Sequence, residues 1–107
     1  MMLTPALART VLIAAALAAG GASWAQDARV LHTRSLAATC AHCHGTDGRA
    51  VPGETPAPLA GRPKERLLEQ LAAYRSGQLP ASVMTQIARG YTTAQLDAIA
   101  GYFAAQR

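Results

Sequence analysis

The chain has 107 residues, 50% hydrophobic and 15% charged, with 10 Lys and Arg against 6 Asp and Glu for a formal charge of +4. That length holds one domain at most, and the low charge excludes a disordered acidic or basic tail protein. With 2 cysteines the chain is no disulfide scaffold.

Residues 1–10 carry one charge, Arg9, and no acid; residues 11–19 are an unbroken apolar run, and Ser23-Trp24-Ala25 follows with small residues at the positions a signal peptidase reads. This order predicts a secretory signal peptide over 1–25 and a mature domain over 26–107. The apolar run is short of the ~20 residues that span a bilayer, so no membrane span is expected after cleavage. Export places the domain in the periplasm, where thiols oxidise. Arg9, Trp24, Met1 and Met2 leave with the signal; Met84 is then the only methionine and the formal charge falls to +3. A domain this small buries a thin core and usually needs a staple: disulfides, a metal or another aid.

The mature stretch reads as all-α, three to four helices with long loops. Asp27 is placed to cap a helix running to about Thr39, with Leu31 and Leu36 facing inward. From Gly45 to Gly61 the glycines and prolines, Pro52, Gly53, Pro56 and Pro58 among them, predict a loop. Pro63 suits the first turn of a second helix, in which Leu67, Leu68, Leu71 and Tyr74 recur at helical spacing until Gly77 ends it. A short helix is expected over 85–89, stopped by Gly90. Thr92-Thr93-Ala94-Gln95 has the spacing of a capping box and opens a last helix with an apolar stripe of Leu96, Ile99, Ala100 and Phe103. No segment alternates as a strand does.

Cys40-Ala41-His42-Cys43-His44 is C-x-x-C-H, the attachment motif of c-type haem. Residues three and four apart share a face of a helical turn, so Cys40 and Cys43 meet one porphyrin edge, each thiol adding across a vinyl group to leave a thioether. His44 follows directly and binds iron through its imidazole. A redox dithiol of the thioredoxin kind wants a strand–helix context that is absent. A zinc site wants two further ligands, and His32 and His42 are poorly placed to supply them. A plain disulfide leaves His44 without a role.

Met84 is the candidate for the sixth iron position, in loop-like sequence after Pro80. Its soft thioether favours ferrous iron and raises the reduction potential; the competing reading is an adaptable core filler. His32 is the rival ligand, although a lone helix histidine is more often a surface or packing residue. His42 has no ligand role. The backbone carbonyl of Pro56 or of Pro58 is expected to take the other imidazole hydrogen of His44, the usual outer partner of a metal-bound histidine.

On these residues the chain resembles a class I c-type cytochrome over nearly all of 26–107. The resemblance rests on CAHCHG, on PLAG before the middle helix, on Met84 before a short helix and on a last helix ending AGYFAAQ. The stretch YRSGQLPASVMTQIARGYTTAQLDAIAGYFAAQ is similar to the haem-ligating stretch in cytochrome subunits of flavocytochrome c sulfide dehydrogenases, IARGY being its most particular part. The resemblance implies helices caging one covalent haem, the first and last crossing, with His44 and Met84 on the iron. It also implies a flavoprotein partner that oxidises sulfide. Many members of that subunit family carry two haem domains, whereas this chain has one C-x-x-C-H. It has no flavin-binding fingerprint either, so sulfide oxidation would belong to another chain.

The expectation is therefore a one-electron carrier and not an enzyme, since six-coordinate iron has no open site. The alternatives are a free-standing carrier unrelated to sulfide and a haem protein that binds exogenous ligands. Nucleic acid is not an expected partner, because the two haem carboxylates nearly cancel the residual charge. Lys64 and Arg66 read as a solvated helix face; Arg62 and Arg75 read equally well as a docking face or as anchors for the haem carboxylates.

Overall fold

The structure, a computed structural model, describes residues 5–50 and 56–107, with side chains described over 21–50 and 56–107. Pro52 and Gly53 of the expected loop lie outside the described residues, as does the start of the expected signal peptide. Helix α1 is Pro5–Ala38, α2 is Ala41–His44, α3 is Lys64–Ser76, α4 is Met84–Arg89 and α5 is Thr93–Ala104, with a 3-10 turn over Thr46–Gly48 between α2 and α3. Among the described residues there is no strand. The chain divides into two compact units, 1–31 and 32–107.

The described part of the first unit, residues 5–31, is helical backbone. Asp27 therefore lies inside α1 and does not cap its start. Alanine-rich sequence with no proline after Pro5 has high helix propensity and carries the helix straight through. Leu31 is 67% exposed, whereas Leu36 packs against the core. Five positions turn a helix about 140° beyond a full turn, so the two leucines cannot share one inner face.

In the second unit the core is Ala37, Leu67, Ile99, Ala100 and Phe103, with Leu36, Leu59, Leu68, Tyr91 and Tyr102 packed against it. The apolar stripe of α5 is buried as expected: Leu96, Ile99, Ala100 and Phe103. The capping box forms, the Thr92 hydroxyl accepting from the Gln95 amide at 3.2 Å while the Gln95 side chain accepts from the Thr92 amide at 2.8 Å. Helix α3 starts one residue after Pro63, whose missing N–H is harmless there, and ends at Gly77 in the left-handed conformation. Three ties hold the later helices in place. Lys64 Nζ bonds the Asp97 carboxylate at 2.9 Å, joining α3 to α5. Arg89 Nε donates to the Arg75 carbonyl at 3.2 Å, satisfying a carbonyl in the last turn of α3. Arg75 in turn donates to the Thr93 hydroxyl at 3.2 Å.

Candidate functional site

The C-x-x-C-H segment is one helical turn. Helix α1 stops at Ala38, and the Cys40 amide still reaches back to the Ala37 carbonyl at 3.0 Å. The His44 amide then donates to the Cys40 carbonyl at 2.9 Å and the Gly45 amide to Ala41 at 2.9 Å, closing α2. Thr39 fixes where this turn begins. Its hydroxyl donates to the Leu36 carbonyl at 2.7 Å, so the Tyr91 hydroxyl, 2.6 Å away, must be the donor to Thr39. That bond joins the residue before the first cysteine to the segment between α4 and α5. Cys40 is half-buried and Cys43 exposed, and both are free thiols. Burial pushes the Cys40 thiol up, the nearby Thr39 hydroxyl pulls it back, and the neighbouring Cys43 adds to the rise.

After His44 the chain reverses through Gly45, at φ +82°, where a Cβ would overlap the Arg49 carbonyl. Asp47 is left-handed at φ 55°, a rare state for a residue with a side chain. It is held there from two sides: the Tyr102 hydroxyl donates to Oδ1 at 2.6 Å and Arg49 pairs with Oδ2 at 3.3 Å. Gly48 is buried against Phe103 and Leu59, with no room for a Cβ. Its carbonyl accepts from the Leu59 and Ala60 amides at 2.8 and 3.1 Å, and the Gly61 amide donates to the Phe103 carbonyl at 2.9 Å. These pins hold the returning strand of the loop beside His44.

The outcome is a bond between His44 Nδ1 and the Ala57 carbonyl, 3.2 Å long. Neither proline that flanks Ala57 supplies that carbonyl, contrary to expectation. A carbonyl only accepts, so Nδ1 carries the hydrogen and Nε2 keeps the lone pair that a metal needs. Sequence reasoning located the segment but missed the residue, because register depends on Gly48 and Phe103 and not on local pattern. Tyr91 was missed too; the signal was a tyrosine directly after a helix-ending glycine, too general to read alone.

A cavity of about 530 Å³ opens on this segment. Cys40, Cys43, His44 and Met84 all line it, with Leu67, Leu71 and Tyr74 of α3 and Ile99, Ala100 and Phe103 of α5. Met84 is half-buried and is the first residue of α4, not a loop residue. His32 and His42 are exposed and line no part of the cavity. Among the described residues no group of three or more His, Cys, Asp or Glu side chains comes together to hold a metal ion, so the zinc alternative lacks its donors.

No family model matches the chain. Its sequence is 37% identical over 71 residues to cytochrome c-554(548) of Halomonas halodenitrificans, an alignment covering 64% of this chain and 84% of that protein. The chain belongs to the c-type cytochromes. It is also 35% identical over 95 residues to a thiosulfate dehydrogenase electron acceptor of Thiomonas intermedia, across 89% of this chain and 43% of that protein. A third relative, 34% identical over 71 residues, is the cytochrome subunit of sulfide dehydrogenase of Chlorobaculum tepidum, with 64% of this chain and 60% of that protein covered. The chain spans less than half the length of the thiosulfate dehydrogenase electron acceptors that it matches.

The architecture is that of a class I cytochrome c, all-α among the described residues. In a c-type cytochrome C-x-x-C-H is the haem-attachment motif, and the residues around it here fit that group. Two thiols and an imidazole with its outer nitrogen already bonded open on one mainly apolar cavity. Its volume lies within the range of ~300–1,000 Å³ usual for small-molecule and cofactor sites. No helix among the described residues is long and apolar enough to cross a membrane.

Proposed function

We propose that this chain is a periplasmic monohaem cytochrome that carries single electrons, with residues 1–25 acting as a cleaved signal peptide and 26–107 as the cytochrome domain. Cys40 and Cys43 hold one haem by thioether bonds, and His44 and Met84 are the iron ligands. When bound, the haem supplies reversible one-electron chemistry, biased towards the reduced state by a thioether ligand. The observation that carries this reading is that one apolar cavity is lined by all four side chains. The Ala57 carbonyl keeps His44 in the tautomer that leaves Nε2 available and stops the ring turning. The α3 and α5 side chains supply the apolar wall of the same space.

The partner we infer is a dehydrogenase of a reduced sulfur compound, with a sulfide-oxidising flavoprotein as the specific expectation. The names of the relatives support the class: one is an electron acceptor for thiosulfate dehydrogenase, another a subunit of sulfide dehydrogenase. Oxidation of the sulfur compound occurs on the partner, and this chain takes the electron without making or breaking a substrate bond.

Expression of the full chain with haem-maturation machinery tests the core of this reading. The exported protein should begin at Gln26 and carry the mass of one covalently added haem. Its ferric form should show the far-red band of sulfur–iron ligation, and Met84→Ala should abolish it; a band that survives removes Met84 from the iron. Rapid carbon monoxide binding by the native protein would favour the ligand-binding alternative. Reduction by a sulfide-oxidising flavoprotein, by a thiosulfate dehydrogenase or by neither separates the partner readings.

A further inference from the structure

Helix α4 carries Met84 at its first position, and its two ends are held differently. At the far end Ala88 is buried, and Arg89 Nε donates to the Arg75 carbonyl of α3 at 3.2 Å. Tyr91, two residues on, is half-buried and packs against the core. At the near end Val83 is 56% and Ile87 37% exposed, and the Thr85 hydroxyl bonds the Ala81 carbonyl of its own segment at 3.3 Å. The place of Met84 is therefore set from the far end, through the short helix between.

Tyr91 is also where this segment meets the start of the attachment turn. Its hydroxyl lies 2.6 Å from that of Thr39, across 52 residues of sequence. Thr39 gives its own hydrogen to the Leu36 carbonyl at 2.7 Å, so Tyr91 is the donor. Thr39 lines the cavity directly before Cys40. The bond thus ties the turn that bears the two thiols and His44 to the segment that ends α4. A group that fills the cavity shields this side of the bond from water, and a shielded hydrogen bond is the stronger for it. Met84 bound and Met84 displaced are two states of one equilibrium, and a tether favouring the first shifts the balance towards it.

We propose that the Tyr91–Thr39 bond is a clasp that keeps Met84 within reach of the iron, with Tyr91 as a positioning residue and not an iron ligand. The proposal rests on the haem reading above.

Cyanide binding to the ferric, haem-loaded protein reads the clasp, because cyanide takes the sixth position only after the Met84 sulfur has left it; no electron moves in this exchange. Tyr91→Phe keeps the ring and removes the bond. It should bind cyanide roughly fivefold faster than native, the worth of one net hydrogen bond. Thr39→Ser keeps a hydroxyl and should bind at the native rate. Thr39→Val should be at least as fast as Tyr91→Phe, and the double variant no faster than Thr39→Val alone, since one bond cannot be lost twice. Thr92→Ala loses stability through the α5 cap but leaves both hydroxyls of the clasp in place, and should keep the native rate. A native rate in Tyr91→Phe would overturn the proposal. So would an equal rise in Thr92→Ala, the mark of a general loosening, or full multiplication of the two effects in the double variant. Should Tyr91→Phe not accumulate, Thr39→Val against Thr39→Ser asks the question from the other end, and equal rates there count against the clasp. A native chain without covalent haem mass or without the far-red band overturns the haem and Met84 reading instead. That result is distinct from a loaded, sulfur-ligated protein whose cyanide rate ignores Tyr91.

Discussion

His44 shows how a single side chain inherits its chemistry from distant backbone. The imidazole follows Cys43 by sequence, yet its tautomer is set by Ala57, thirteen residues on. Ala57 is in reach only because Leu59 and Ala60 are pinned to the Gly48 carbonyl and Gly61 to Phe103. Asp47 belongs to the same arrangement, and its partner Tyr102 yields a prediction. The hydrogen bond to the Asp47 carboxylate pushes the Tyr102 phenol above the ordinary value, helped by desolvation and by the negative charge itself, with Arg34 acting the other way. A raised phenol favours the neutral form in the folded protein. The stabilisation is therefore complete below about pH 10, where the unfolded phenol titrates, and is lost as pH climbs through the folded value. Thermal melts of haem-loaded native and Tyr102→Phe protein should differ by a constant gap between pH 7 and 9, and the gap should close above pH 10. A gap unchanged at pH 11 would show that the phenol does not titrate out of this bond.

Among the helices, the ones whose ends depend on neighbours in sequence were readable in advance. The capping box of α5 needs only Thr92 and Gln95, so its spacing announces it. Replacing Thr92 with Ala removes the acceptor for the Gln95 amide and should lower the stability of the haem-loaded protein by about 1 kcal/mol, measured by denaturant titration. Thr92→Ser should recover most of that, and equal stability of Thr92→Ala with native would mean that solvent satisfies the cap as well. The glycine and proline that bound α3 act equally locally, as does the stripe that α5 buries. Elements fixed by tertiary contact were not readable. Asp27 has the chemistry of a cap, but the alanine-rich segment before it is already helical. Asp47 sits at positive φ because Tyr102 and Arg49 hold its side chain, and nothing within the Thr-Asp-Gly turn says so. Arg62 and Arg75 look alike as letters, and only the fold separates the one that lines the cavity from the one that bonds Thr93.

At the scale of the whole domain, the core and the cavity share their walls. Leu67, Ile99, Ala100 and Phe103 are core residues and also line the space of about 530 Å³. Among the described residues the buried hydrophobics are Ala37, Leu67, Ala88, Leu96, Ile99, Ala100 and Phe103, and the three alanines add little volume. At ~24 cal/mol per Å³, an enclosed void of the cavity's size would destabilise by on the order of 10 kcal/mol, as much as the entire stability of an ordinary small domain. This cavity opens to solvent, so water would enter and the figure is an upper bound, but the flooded state still leaves the lining residues Leu71, Val83 and Ile87 in contact with water. A group filling that space is thus part of the fold and not an addition to it. Cys40→Ala/Cys43→Ala protein, prepared without haem, should lose its near-ultraviolet circular dichroism and melt over a broad range with no cooperative step. Far-ultraviolet signal should persist in part, since alanine-rich helices need little packing to form transiently. Haem-loaded protein under the same conditions should melt in one sharp transition. A sharp transition in the haem-free double variant would mean that these few apolar residues suffice alone, and that the cavity is a binding site in a finished domain.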